Sequence, residues 1–105
     1  MIIEIYNLGN AIKENFTDIP FAHLFGSSMY GEVKPGSDVD IAIWYNGPDP
    51  LMKVKVLSIL EPFLPNIPID IINSNNADPI LAFQILSGKL LFVREEQKEN
   101  QSHLN

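Results

Sequence analysis

The chain contains no cysteine, so neither disulfides nor a thiolate metal site organise it. It also lacks an apolar run near the ~20 residues that a membrane-spanning helix needs, although 46% of its 105 residues are hydrophobic. Basic residues are scarce: seven Lys and Arg against thirteen Asp and Glu leave a formal charge of −6. That balance excludes a broad electrostatic grip on nucleic acid, which needs clustered cations, and suits a cation-dependent site better. The start, Met1-Ile2-Ile3-Glu4, has neither the basic segment nor the small-residue cleavage site of a secretory signal, so a cytoplasmic location is expected. There is no internal repeat and no linker. A chain of this length predicts one domain with one core, too small to hold a substrate lobe of its own.

What is present alternates between two periodicities. Ile2, Ile5, Ile12 and Phe16 recur at helical spacing opposite Lys13, Glu14 and Asn15, predicting an amphipathic N-terminal helix that Gly9 weakens. Residues 21–25, a short apolar run after Pro20 that stops at Gly26, read as a buried strand. Residues 40–45 are β-branched and aromatic and end at Asn46-Gly47-Pro48, a second strand. Asp49-Pro50 reads as a helix cap with proline in the first turn, and Leu51, Val54, Leu57 and Leu60 as the apolar face until Pro62. Residues 67–72 form a third strand, and Pro68 either places it at an edge or is its first residue. Asp78-Pro79 repeats the cap signal, before a helix through Ile80, Phe83 and Leu86 to Gly88, read as a left-handed cap, and a last strand at 90–93. The expected fold class is α/β (α+β): a small mixed β-sheet flanked by helices over residues 1–94, with 95–105 a disordered polar tail.

The chemistry concentrates at two places. Gly26-Ser27 supplies a bend whose backbone can approach an anion, with a hydroxyl and free N–H groups that favour phosphate. Ten residues on come Asp38-Val39-Asp40. Strand alternation puts both carboxylates on one face and Val39, Ile41 and Ile43 on the other, and two close carboxylates raise each other's pKa unless a cation such as Mg²⁺ neutralises them. Asp70 lies in a second apolar strand and joins the pair if the strands are neighbours. Three acids can hold two metal ions about 3.5–4 Å apart. Taken singly these residues have ordinary readings: a turn at Gly26, a loop carboxylate at Asp38, a solvated acid at Asp70, a solvated lysine at Lys34, a packed histidine at His23 and aromatic packing at Trp44. The acid pair opening an apolar strand favours function, because a buried unpaired carboxylate is costly.

The ordered set of an apolar strand, Gly26-Ser27, a gap of ten, Ser37-Asp38-Val39-Asp40 and a later Asp70 resembles the minimal nucleotidyltransferases of the DNA-polymerase-β superfamily, from about Phe21 to Val93. The resemblance implies a nucleotidyltransferase-like mixed sheet. It implies Asp38, Asp40 and Asp70 as catalytic residues and ligands of two Mg²⁺ ions, and Gly26, Ser27, Ser37 and Lys34 as nucleotide-binding residues. ATP, or another nucleoside triphosphate, is the implied substrate. Many similar short chains are antitoxins paired with a HEPN-type toxin, some transferring AMP to a tyrosine of that partner, so homo- or hetero-oligomers are expected. The chain departs from the family where Gly-Ser-Arg-x-x-Gly is usual: Ser28, Met29 and Tyr30 carry no cation, and Lys34 is the candidate substitute. A different class of reading is a binding module that neutralises a partner by occlusion. Transfer to a small molecule such as an aminoglycoside is less favoured, since no second domain shapes a pocket.

Overall fold

The computed structural model describes residues 1–94; the expected polar tail at 95–105 lies outside the described residues. The order is α1 (Ile5–Asn15), β1 (Phe21–Phe25), β2 (Val39–Ile43), α2 (Met52–Leu60), β3 (Ile69–Asn73), α3 (Pro79–Leu86) and β4 (Lys89–Val93), with short 3₁₀ turns after β1, α2 and β3. The four strands form one mixed sheet in the order β3-β2-β1-β4. β2 runs antiparallel to β1 and parallel to β3, and β1 runs antiparallel to β4. The parallel pair needs a crossover, and α2 supplies it. Among the described residues no helix is long and apolar enough to cross a membrane.

Alternation along β2 decides the layers. Val39, Ile41 and Ile43 are fully buried in the main core with Leu8 and Ile12 of α1 and Val56 and Leu60 of α2. Asp40, Ala42 and Trp44 take the other face, where α3 alone packs, its Ile85 seated against Phe25 and Ala42. Two helices therefore close one face, and one helix of eight residues covers part of the other.

Several expectations are corrected. Ile2 is not helical: it bridges Glu32, while Ile3 N donates to Gly31 O at 2.6 Å, so the N-terminus pairs with residues 31–33 before α1 begins. Asp49 Oδ1 accepts from Leu51 N at 2.9 Å, but that bond closes a turn, and α2 starts two residues later than the cap signal implied. Met52, Val56 and Leu60 are the buried residues of α2, whereas Leu51 and Val54 are exposed. In α3 only Ile85 is buried, and the expected face of Ile80, Phe83 and Leu86 points to solvent. Both helices are apolar nearly all round, so periodicity carries little information about which side meets the sheet. Gly88 is not left-handed; it is required because a Cβ there would collide with Leu24 O of β1. Gly9 likewise lets α1 press onto Leu91 O of β4. The Asp78 cap and the edge position of β3 hold as expected: Asp78 Oδ1 accepts from Leu81 N at 2.8 Å, with Pro79 in the first turn.

Candidate functional site

The parallel register of β2 and β3 pairs Asp40 with Asp70. Paired residues on neighbouring strands share a face about 4.8 Å apart, so the two carboxylates stand side by side. Asp38 immediately precedes β2 and is exposed, and Asp40 is half-buried. Burial raises the pKa of Asp40, and the negative charges of Asp38 and Asp70 raise it further. Asp40 therefore lies in the field of both Asp38 and Asp70. Among the described residues the one ion pair is Lys55 with Asp49, on the loop and helix that follow β2, so no basic side chain neutralises the group.

The Gly26–Ser28 turn closes the other side. Gly26 has φ +78°, and a Cβ built on it would strike Asp40 Oδ2; the residue must be glycine both for its backbone and for the room it leaves that carboxylate. Ser28, only 1% exposed, donates its hydroxyl to Asp38 O at 2.9 Å and ties the turn to the start of β2. Nothing in the sequence pattern singled out Ser28, because the bond spans ten residues and serine there reads as turn composition. Ser27 is exposed at the mouth of the turn.

Ser37 and Lys34 are the ends of a type II turn, Lys34-Pro35-Gly36-Ser37, with Gly36 at φ +83° and Ser37 N donating to Lys34 O at 3.0 Å. Both line a hollow beside Asn66, Ile67 and Pro68 at the start of β3, on the far side of the acids from Gly26. The structure thus gathers Asp38, Asp40, Asp70, Gly26 and Ser27, and sets Lys34 apart from the phosphate-type turn.

The acid end is an open surface. Among the described residues no three acid or imidazole side chains form a ready-made metal cage. Mg²⁺ does not need one, since it is commonly held by one or two carboxylates completed by substrate phosphate and water. The donor set, oxygen-only and short of a counter-charge, fits that ion. Two larger hollows, about 420 and 470 Å³, lie at the opposite end of the strands, one against Tyr45 and Asn73 and one against Phe21 and Trp44. There Trp44 stacks on Phe21 at 4.8 Å and donates its indole N–H to Nδ1 of buried His23 at 3.3 Å.

A family model described as polymerase beta, nucleotidyltransferase, matches residues 7–97. The chain belongs to that family. The same fold recurs in a mutant form of the MntA–HpeT toxin-antitoxin complex, with a TM-score of 0.72 and 20% identity over 97% of this chain and 90% of that chain. It recurs in a toxin-antitoxin structure with AMP-PNP, at 0.70 and 20% over 97% of this chain and 90% of that chain. A third is the complex of a tri-AMPylated Shewanella oneidensis HEPN toxin with its MNT antitoxin, at 0.63 and 19% over 95% of this chain and 85% of that chain. At such identities the likeness is one of fold. No curated protein matches the sequence. Within this family frame, the side-by-side Asp40 and Asp70 and the Gly26 turn against Asp40 are this chain's own geometry.

Proposed function

We propose that the chain is a Mg²⁺-dependent transferase that moves AMP from ATP to a protein hydroxyl, a tyrosine of a HEPN-type toxin, and so acts as an antitoxin in the cytoplasm. The observation that carries the reading is the Asp40–Asp70 pair with Asp38 in its field and no cation beside it among the described residues. Support for the partner comes from the fold neighbours, which include toxin-antitoxin complexes, one with AMP-PNP and one whose toxin is AMPylated.

In this reading Asp38 and Asp40, with Asp70, would hold two Mg²⁺. The chemistry that bound Mg²⁺ supplies is a lowered pKa for the acceptor hydroxyl and neutralisation of the leaving pyrophosphate. Gly26 and Ser27 take the triphosphate on backbone N–H groups and the Ser27 hydroxyl, while Ser37 and Lys34, across the acids beside Ile67 and Pro68, stand apart from it. The tyrosine oxygen attacks the α-phosphorus, the bond from that phosphorus to the β-phosphate bridging oxygen breaks, and pyrophosphate leaves. Asp70 accepts the tyrosine proton. Ser28 keeps the Asp38 backbone, and with it the spacing between acids and turn, in place.

The test is transfer of label from α-labelled Mg-ATP to the toxin. Labelling that disappears in Asp38→Asn and Asp40→Asn is the expected result; an unlabelled toxin that is nonetheless silenced, equally by parent and both variants, overturns it. That second outcome is the occlusion reading, favoured by one feature: Ile80, Phe83 and Leu86 of α3 stand exposed as a ready contact surface.

A further inference from the structure

We propose that the outer face of α3, continued by Leu90 and Val93 of β4, is the surface on which the toxin docks, an inference that deepens the transferase reading above and rests on it for the identity of the partner. A helix that is apolar on all sides is normally covered on all sides. α3 (Pro79–Leu86) has no charged side chain, yet Ile85 is its one buried residue. Ile80 and Phe83 are 75% and 73% exposed, and Leu86 is more than half exposed.

The surface does not stop at the helix. α3 runs into the edge strand β4 through Ser87 and Gly88 alone. Leu90 and Val93 pair with His23 and Phe21 of β1, which alternation places on the same sheet face as Phe25, and Phe25 is one of the residues on which Ile85 of α3 is seated. Both are about half exposed. The five side chains together offer on the order of 500 Å² of apolar surface, the scale at which a patch on a monomer is functional. That is most of the ~800 Å² that one partner gives to a standard interface.

Charge selects the occupant. The face of the sheet under α3 also carries the paired Asp40 and Asp70, and Asp78 stands exposed at the start of the helix. Lys89 pairs with Leu24 and belongs to the other face. A complementary cover is therefore apolar at its centre and basic around it. A second copy of the chain would bring a further formal charge of −6 and the same acids, and an anionic lipid surface repels the chain for the same reason. A toxin surface with an apolar centre ringed by Lys and Arg meets both demands. Seated on α3, it also approaches the sheet from the side that holds the acids, as an acceptor tyrosine must.

The test is calorimetric binding of the full chain to its purified HEPN-type toxin. Phe83→Gln is expected to weaken toxin binding about 30-fold, the loss at an interface hot spot, while AMP-PNP binding and the melting temperature stay at parent values. Tyr6→Gln, 78% exposed on α1 at the other face of the sheet, should leave toxin affinity within twofold of parent. Parent affinity should also fall as salt rises. Toxin affinity within twofold of parent in Phe83→Gln overturns the docking face and leaves the transferase reading to its label test. Self-association of the parent that Phe83→Gln abolishes overturns it as well, since a second copy then covers the face. A parent that binds the toxin through Phe83 and never labels it overturns the transferase reading alone, and a parent that neither binds nor labels the toxin overturns both.

Discussion

The two ends of the open sheet face belong to one sheet and are opposites in chemistry. At one end Asp40 and Asp70 stand side by side with like charge and no partner; at the other, two residues of the same parity further along β2 from Ala42, Trp44 stacks on Phe21 and bonds to His23. α3 crosses between them with Ile85 on Ala42 and Phe25. The aromatic end is satisfied by its own contacts and serves the fold. The acid end is unsatisfied by anything in the described chain, the signature of a group kept for a ligand rather than for stability.

Substitutions should therefore separate activity from stability according to the end they touch. The largest effect expected is in Asp40→Asn: AMP transfer falls by more than about 100-fold, at least the loss typical of outer-shell partners of a metal site, yet without divalent cation the melting temperature rises. A variant that loses both activity and stability would break the comparison. Trp44→Ala is its mirror, costing about 2 kcal/mol for a half-buried aromatic in thermal or urea unfolding with transfer retained. Ser28→Ala lies between, since the buried hydroxyl joins turn to strand; a loss of about 1 kcal/mol should come with weaker Mg-nucleotide binding, and Ser28→Thr should recover part of it.

The smallest effect is in the pH dependence, and the two ends carry opposite signs. Burial lowers the pKa of His23 from 6.5, so its contribution to stability is present above that value and is lost as pH falls through the depressed folded pKa. Protonation at Nδ1 would also end the bond accepted from Trp44. The pKa of Asp40 is raised from 3.8, so its contribution is present below that value and is lost as pH rises through the folded pKa. Melting curves across pH without divalent cation should lose the first limb in His23→Phe and the second in Asp40→Asn. Superimposable profiles for parent and either variant would remove that end's assigned role.

Much of this was legible in the sequence where the cause is local. The alternation of Val39, Ile41 and Ile43 against Asp40 set the faces of β2, Pro68 marked the edge strand and Asp78-Pro79 marked the start of α3. The helix faces were not legible, because α2 and α3 are apolar on several sides and only the sheet decides which side is used. Close approaches were equally hidden: Gly9 against Leu91, Gly88 against Leu24 and Gly26 against the Asp40 carboxylate each depend on a distant segment. In the candidate site, the acids and the glycine could be named from their spacing, whereas the Ser28–Asp38 bond and the Asp40–Asp70 pairing required strand order and register.

The central claim is that the paired acids exist to hold a divalent cation with a nucleotide. Thermal melting of the parent and Asp40→Asn with AMP-PNP, in Mg²⁺ and in EDTA, tests it most directly. The account predicts a rise in melting temperature for the parent in Mg²⁺ alone, and none for Asp40→Asn in either condition. An equal rise in EDTA, or the parent's full rise in Asp40→Asn, would contradict it.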